Sequence, residues 1–213
     1  TMKHTISHLP NVGILNAKFT DDELKPMLDE INDIKRKNFS AKKFNSNLAG
    51  NLEKEFELIE CHSYINLLLL PLTKTYDKQF KIADEVGGPI FKKPIPVTLK
   101  HLWVNFQKKN DFNPMHRHGG VFSFVIWIDI PYAIDDEKSQ PTSKESTSNI
   151  PGHFQFVYTN ILGETSSYNI PADYTFKNQM VMFPAKLSHG VYPFRTSDEY
   201  RISVSGNFGF DIP

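Results

Sequence analysis

The chain has 213 residues and a mass of 24.5 kDa, long enough for one substantial domain with a core of its own. Hydrophobic residues make up 39% and charged residues 23%, which excludes an intrinsically disordered chain. Lys+Arg and Asp+Glu both number 24, so no global basic field draws in nucleic acid, and the lone Cys61 excludes an internal disulfide framework and fits a reducing compartment.

The opening TMKHTISHLP has no apolar signal core, so a cytoplasmic protein is expected. Thr20-Asp21-Asp22-Glu23 reads as a capping box, and Leu24, Leu28, Ile31 and Ile34 keep helical spacing behind it. Pro26 then belongs near the first turn, and Lys35 to Lys37 suit the C-terminal end of the dipole. After a polar loop around Asn45 to Asn51, a second helix is expected over much of Glu53 to Phe80, bent or divided at Pro71. Its apolar stretch, Ile65 to Leu72, contains Asn66 and Pro71 and is too short to span a bilayer.

From Pro94 onward the pattern turns to short runs rich in β-branched and aromatic residues. VTLKHLWVNF, VFSFVIWIDI, HFQFVYT, MVMFPA, HGVYPF and RISVSGNFGF are the predicted strands, punctuated by Gly119-Gly120, Pro151-Gly152, Pro184 and Pro193. Many short strands predict a sandwich or jelly roll rather than an alternating α/β sheet. The expected organisation is a single domain over 1–213: a mainly helical buttress over 1–90, a jelly-roll core over 94–213, and a flexible polar insertion over 135–149.

Within the strand-rich half, His116-Arg117-His118 is followed by His189 and, twelve residues later, by Arg201. Histidines two apart in an extended strand project from one face, and a third from a distant strand can close a three-cornered metal site with open positions. An H-x-H pair alone is a weak signal, because isolated histidines are commonly surface or hydrogen-bonded residues. The ordered set of strand, H-x-H, strands, His and R-x-S carries more weight than its pieces. Arg201, Ser203 and Ser205 share one strand face, while Ile202 and Val204 share the other. If the polar face lines the interior, Arg201 is a buried cation in need of an anion, and a carboxylate clamp with the Ser203 hydroxyl as a further donor satisfies it. The bland alternative for Arg201 is a surface cation.

With these residues the chain resembles the 2-oxoglutarate/iron(II)-dependent dioxygenase superfamily, and more narrowly a small bacterial and phage group with an H-x-H variant of the facial triad. The resemblance is carried by LAGNLEKEFEL (Leu48 to Leu58), WVNFQKKNDFNPMHRH (Trp103 to His118), FPAKLSHGVYPF and RISVSGNFGF. It implies a mostly β fold with N-terminal helices, a double-stranded β-helix (jelly-roll barrel) with helices buttressing one face. It implies iron(II), Fe(II), and 2-oxoglutarate as cofactors, with His116 and His189 in the histidine ligand positions and Arg201 with Ser203 on the distal carboxylate. Asn105 takes the place of an asparagine that donates to the co-substrate, its alternative role being to cap a turn at the barrel mouth.

The departure is His118, which stands where the superfamily has an acid. Either it ligates as a neutral third donor, altering the charge of the site, or it turns away. Asp111 and Asp129 have the wrong offset to replace it. The implied reaction is hydroxylation of an unactivated C–H, on a small-molecule or peptidyl substrate, with Trp103, Phe106, Phe122, Phe124 and Trp127 as apolar wall material, although ordinary barrel core is the commoner role for most such aromatics. The competing reading is a cupin-like metal protein, such as a three-histidine dioxygenase, a sugar-modifying enzyme or a ligand-binding module. GGVFSFVIW after His118 lacks the glutamate that reading expects, and Arg201 is present.

Overall fold

The computed structural model describes Thr5 and residues 11–45, 48–87 and 95–212; most of the opening segment lies outside the described residues. In chain order the elements are β1 (Leu15–Lys18), α1 (Lys25–Arg36), β2 (Lys54–Glu57), α2 (His62–Phe80), α3 (Ile82–Gly87), β3 (Val97–Gln107), β4 (Asn113–His116) and β5 (Phe122–Asp129). They continue with α4 (Ile134–Ser139), α5 (Pro141–Lys144), β6 (Phe154–Thr159), β7 (Thr165–Ile170), β8 (Gln179–Pro184), β9 (Ser188–Val191) and β10 (Arg201–Phe210). The strands form two antiparallel sheets, one ordered β1-β8-β5-β10-β3-β2 and the other β4-β9-β6-β7. The mostly β, jelly-roll expectation stands.

Period-two alternation gives the large sheet two different faces. On one, Val104, Phe106, Phe122, Phe124, Met180, Met182, Ile202 and Val204 pack with Met27 and Ile31 of α1 and Ile65, Leu69 and Tyr76 of α2. On the other, Val125, Trp127, Val181 and Phe183 meet Phe154 and Phe156 of the small sheet. Each large side chain buried in this way contributes roughly 1.5–3 kcal/mol. The second face changes character along β3 and β10: Trp103, Asn105, Gln107, Arg201, Ser203 and Ser205 replace the apolar set, and there the two sheets enclose a cavity.

The capping box forms as read, with Thr20 N–H donating to Glu23 Oε2 at 2.8 Å and Glu23 N–H to Thr20 Oγ at 3.2 Å. Pro26 lies in the first turn of α1. The helix expected from Glu53 is a correction. Lys54–Glu57 is a strand instead, with Glu55 opposite Asn105 and Phe56 opposite Val104. Burying Phe56 on the sheet outweighs the helix propensity of its neighbours. Pro71 neither divides nor ends α2, which runs unbroken from His62 to Phe80. Its missing N–H falls on an exposed side of the helix, beside Leu67, where a lost backbone bond costs little.

The stretch Asp135 to Asn149, expected as a flexible polar insertion, contains α4 and α5. Glu137 anchors it: fully buried, its carboxylate accepts from Arg195 N–H at 2.8 Å and Thr196 N–H at 2.7 Å. No helix among the described residues is long and apolar enough to cross a membrane.

Candidate metal centre

His116 closes β4 and stands opposite His189 on β9. His118 follows two residues later, and its own N–H donates to the Ala185 carbonyl at 2.9 Å, which pins the segment to the end of β8. The chain then turns at Gly120, whose φ of +97° and whose approach to the Phe208 carbonyl leave no room for a Cβ. The three rings converge: centroids lie 4.8 Å apart for His116 and His118, 4.3 Å for His116 and His189, and 5.1 Å for His118 and His189. Their candidate donor atoms all fall within 4.8 Å of one another.

Two of the rings are oriented by backbone. His116 Nδ1 lies 2.7 Å from the Pro114 carbonyl, and His189 Nδ1 lies 2.9 Å from that of Leu187. A carbonyl accepts only, so Nδ1 carries the proton and the Nε2 lone pair is left for a metal. Burial, reinforced by His116 and partly offset by the Leu187 carbonyl, pushes His189 down to about 3. Burial and the neighbouring His116 push His118 down to about 4, and burial lowers His116 as well. All three are neutral at pH 7, the state that ligation requires. Phe154 stacks on His189 at 5.6 Å and Phe183 meets it edge-on at 4.7 Å, which fixes the ring in an apolar wall.

Arg201 lines the same cavity, 3% exposed. Its Nε and Nη2 donate to Gln107 Oε1 at 3.1 and 2.6 Å, and its Nη1 donates to the Tyr132 hydroxyl at 2.6 Å and the Gly152 carbonyl at 2.8 Å. Every one of these acceptors is neutral, and no ion pair involves Arg201 among the described residues. A buried guanidinium held by dipoles alone is a strong site for an anion. Ser203 does not bond Arg201; its Oγ accepts from Asn105 Nδ2 at 3.3 Å. Asn105 lies within β3 rather than capping a turn, and its Oδ1 accepts from Trp103 Nε1 at 3.1 Å.

The structure thus brings His116, His118, His189, Arg201, Ser203 and Asn105 to one cavity. Neither Asp111 nor Asp129 belongs to the histidine cluster. Trp103 and Trp127 line the cavity, whereas Phe106 and Phe122 pack on the helix-facing side. Gln107, Tyr132, Glu55 and Asn113 were not among the sequence candidates. The alternation Glu55-Phe56-Glu57 is the signal that could have found the third; the others depend on register between distant strands.

The residues present fit a three-coordinated metal and a carboxylate-bearing co-substrate, since three neutral imidazoles converge beside an uncompensated buried cation. Residues 101–207, just over half the chain, match the model of the family described as "Putative 2OG-Fe(II) oxygenase". Among solved structures, a Pseudomonas putida prolyl-4-hydroxylase aligns with a TM-score of 0.55 at 11% identity, covering 94% of each chain. AviO1 from Streptomyces viridochromogenes Tue57 aligns with a TM-score of 0.54 at 11% identity, covering 93% of this chain and 90% of that one. The non-heme alpha ketoglutarate dependent epimerase SnoN aligns with a TM-score of 0.51 at 14% identity, covering 92% and 77%. These likenesses support the fold, and no curated protein matches the chain. The family match, on the segment that carries all three histidines and Arg201, shows that the chain belongs to the 2OG-Fe(II) oxygenases.

Proposed function

We propose that His116, His118 and His189 hold iron(II), that Arg201 receives the distal carboxylate of 2-oxoglutarate, and that the enzyme hydroxylates a C–H bond of an amino-acid or peptidyl substrate. The observation that carries this is Arg201: a buried cation whose five hydrogen bonds all go to neutral acceptors, lining the cavity that holds the histidines. Bound iron(II) and 2-oxoglutarate would supply the oxidation, in which dioxygen, the keto acid and the substrate C–H give succinate, carbon dioxide and the hydroxylated substrate, one oxygen atom going to each of succinate and product.

The chain's own residues do the positioning. Pro114 and Leu187 carbonyls hold the His116 and His189 rings with Nε2 inward. Gln107 and Tyr132 hold the guanidinium in orientation before the co-substrate arrives, and its longest contact, from Nη2 to the Tyr192 carbonyl at 3.4 Å, is the one a carboxylate would replace. The Trp103–Asn105–Ser203 chain of hydrogen bonds fixes the floor between them. Phe154, Phe183 and Trp127 exclude water from the metal side. A neutral third ligand in His118 leaves the dianionic keto acid as the source of negative charge at iron. Support for an amino-acid or peptidyl substrate comes from zero net charge and from the prolyl-4-hydroxylase neighbour.

Anaerobic titration of the protein with iron(II) and 2-oxoglutarate tests the reading. A visible metal-to-keto-acid charge-transfer band is expected; its absence from folded protein overturns the reading.

A further inference from the structure

The cavity has a second polar end. Cross-strand register sets Ser203, Asn105 and Glu55 in one row across β10, β3 and β2, all facing inward. Glu55 is 1% exposed, yet no cation pairs with it among the described residues. Among the described residues its carboxylate accepts from one donor, Asn45 Nδ2 at 3.2 Å, an amide that also donates to the Leu52 carbonyl at 2.7 Å. Close by, the buried Asn113 Oδ1 has no hydrogen-bond partner among the described residues. Both oxygens converge on Gly50: a Cβ built there would lie 2.2 Å from Asn113 Oδ1 and 3.0 Å from Glu55 Oε1. Among the described residues one long amide contact is all that these two side-chain acceptors receive, a costly arrangement for buried oxygens unless something supplies a further donor.

Resting on the oxygenase reading for its place in the reaction, we infer that Glu55 and Asn113 form the receptor for a protonated amine of the substrate. An ammonium group suits this corner better than a neutral N–H. Its three donors satisfy several oxygens at once, and its charge compensates a carboxylate that the protein leaves unpaired. The other cation of the cavity, Arg201, is held at a different row, opposite Gln107. Without ligand, a proton on the carboxyl does the same work. Burial alone pushes Glu55 up to about 7, so that proton is retained near neutrality and is displaced by a cationic ligand. Any side chain at Gly50 would collide with Asn113 Oδ1 and crowd Glu55 Oε1, so glycine is what lets both oxygens keep their places. Glu55 and Asn113 thus act as positioning and specificity residues, and the substrate class becomes an amine-bearing amino acid or peptide.

The test compares n-butylammonium with 1-butanol, which match in shape but differ in charge. Binding to the full chain is measured at pH 8 by saturation-transfer NMR, with and without iron(II) and 2-oxoglutarate. Wild type is expected to prefer n-butylammonium by about tenfold, the scale of one charge-assisted contact. Glu55→Gln should bring the ratio to about one, and Asn113→Ala should lower it a few-fold while keeping the carboxylate. Equal binding of the two probes by wild type overturns the inference; it is the result expected if the Asn113 amide turns to donate to Glu55 directly. A preference untouched by Glu55→Gln in folded protein overturns it equally. Should that variant fail to fold, the wild-type ratio and Asn113→Ala still decide. A charge-transfer band with no ammonium preference sinks the receptor alone, whereas a preference without the band sinks only the oxygenase reading.

Discussion

Gln107 Oε1 accepts two hydrogen bonds from Arg201, from Nε at 3.1 Å and from Nη2 at 2.6 Å, across the β3–β10 pair. The pairing holds the guanidinium without neutralising it. An acid at position 107 would form a buried ion pair and leave nothing for a co-substrate; a glutamine keeps the cation oriented and unspent.

Gln107→Glu is therefore expected to weaken 2-oxoglutarate binding by about tenfold to a hundredfold, the range of one charge-assisted contact, beyond the stability lost with the Gln107 Nε2 bond to the Asp111 carbonyl. Calorimetric titration with 2-oxoglutarate measures it. Unchanged affinity would mean that Arg201 is not the carboxylate receptor.

His118 separates two forms of the metal site. If its ring ligates, His118→Ala should lower iron(II) affinity by at least about tenfold, and His118→Asp should restore it with a shifted charge-transfer band. Equal iron affinity in wild type and His118→Ala shows that two histidines suffice.

Glu55 carries a pH signature in stability. Burial raises its carboxyl from 4.5 to about 7, so between those values the folded chain binds a proton that the unfolded chain has lost. Its contribution is fully present below the lower value and is lost as pH rises through the upper one. Relative to Glu55→Gln, wild type should lose on the order of 2–3 kcal/mol between pH 4.5 and 7.5, read from urea unfolding. Parallel pH profiles for the two proteins would show that the carboxyl is not perturbed.

Glu137 ties α4 to the segment that leads into β10 through the Arg195 and Thr196 amides. Glu137→Ala leaves both amides without their acceptor in a part-buried setting and should cost about 1–3 kcal/mol. Faster hydrogen exchange at those two amides, with the β3–β10 core unchanged, is the expected pattern. Global loss of protection instead would place Glu137 in the cooperative core.

Much of this molecule is legible from local pattern. Six strands, α1 with its capping box and the ordered histidines and arginine follow from period, spacing and residue chemistry, because alternation dictates which side chains share a face. The failures are equally local in origin. Lys54–Glu57 has helix-forming residues, and only the partner strand β3 makes it a strand. Thr165–Ile170 and Asn113–His116 are short strands whose composition resembles a loop, so pairing alone reveals them. Asp135 to Asn149 is polar throughout, and its two helices depend on Glu137 finding two distant amides.

The sequence by itself determined the class of chemistry: three imidazole donors and one arginine in a fixed order on a strand-rich chain. What only tertiary structure decided is how their charges are met. It turned His118 inward beside His116 and His189, matched Arg201 with neutral acceptors rather than an acid, and set Glu55 and Asn113 around Gly50 with one long amide contact. Charge compensation in a buried site depends on distances between residues far apart in the chain, and those distances exist only after the two sheets close on one another.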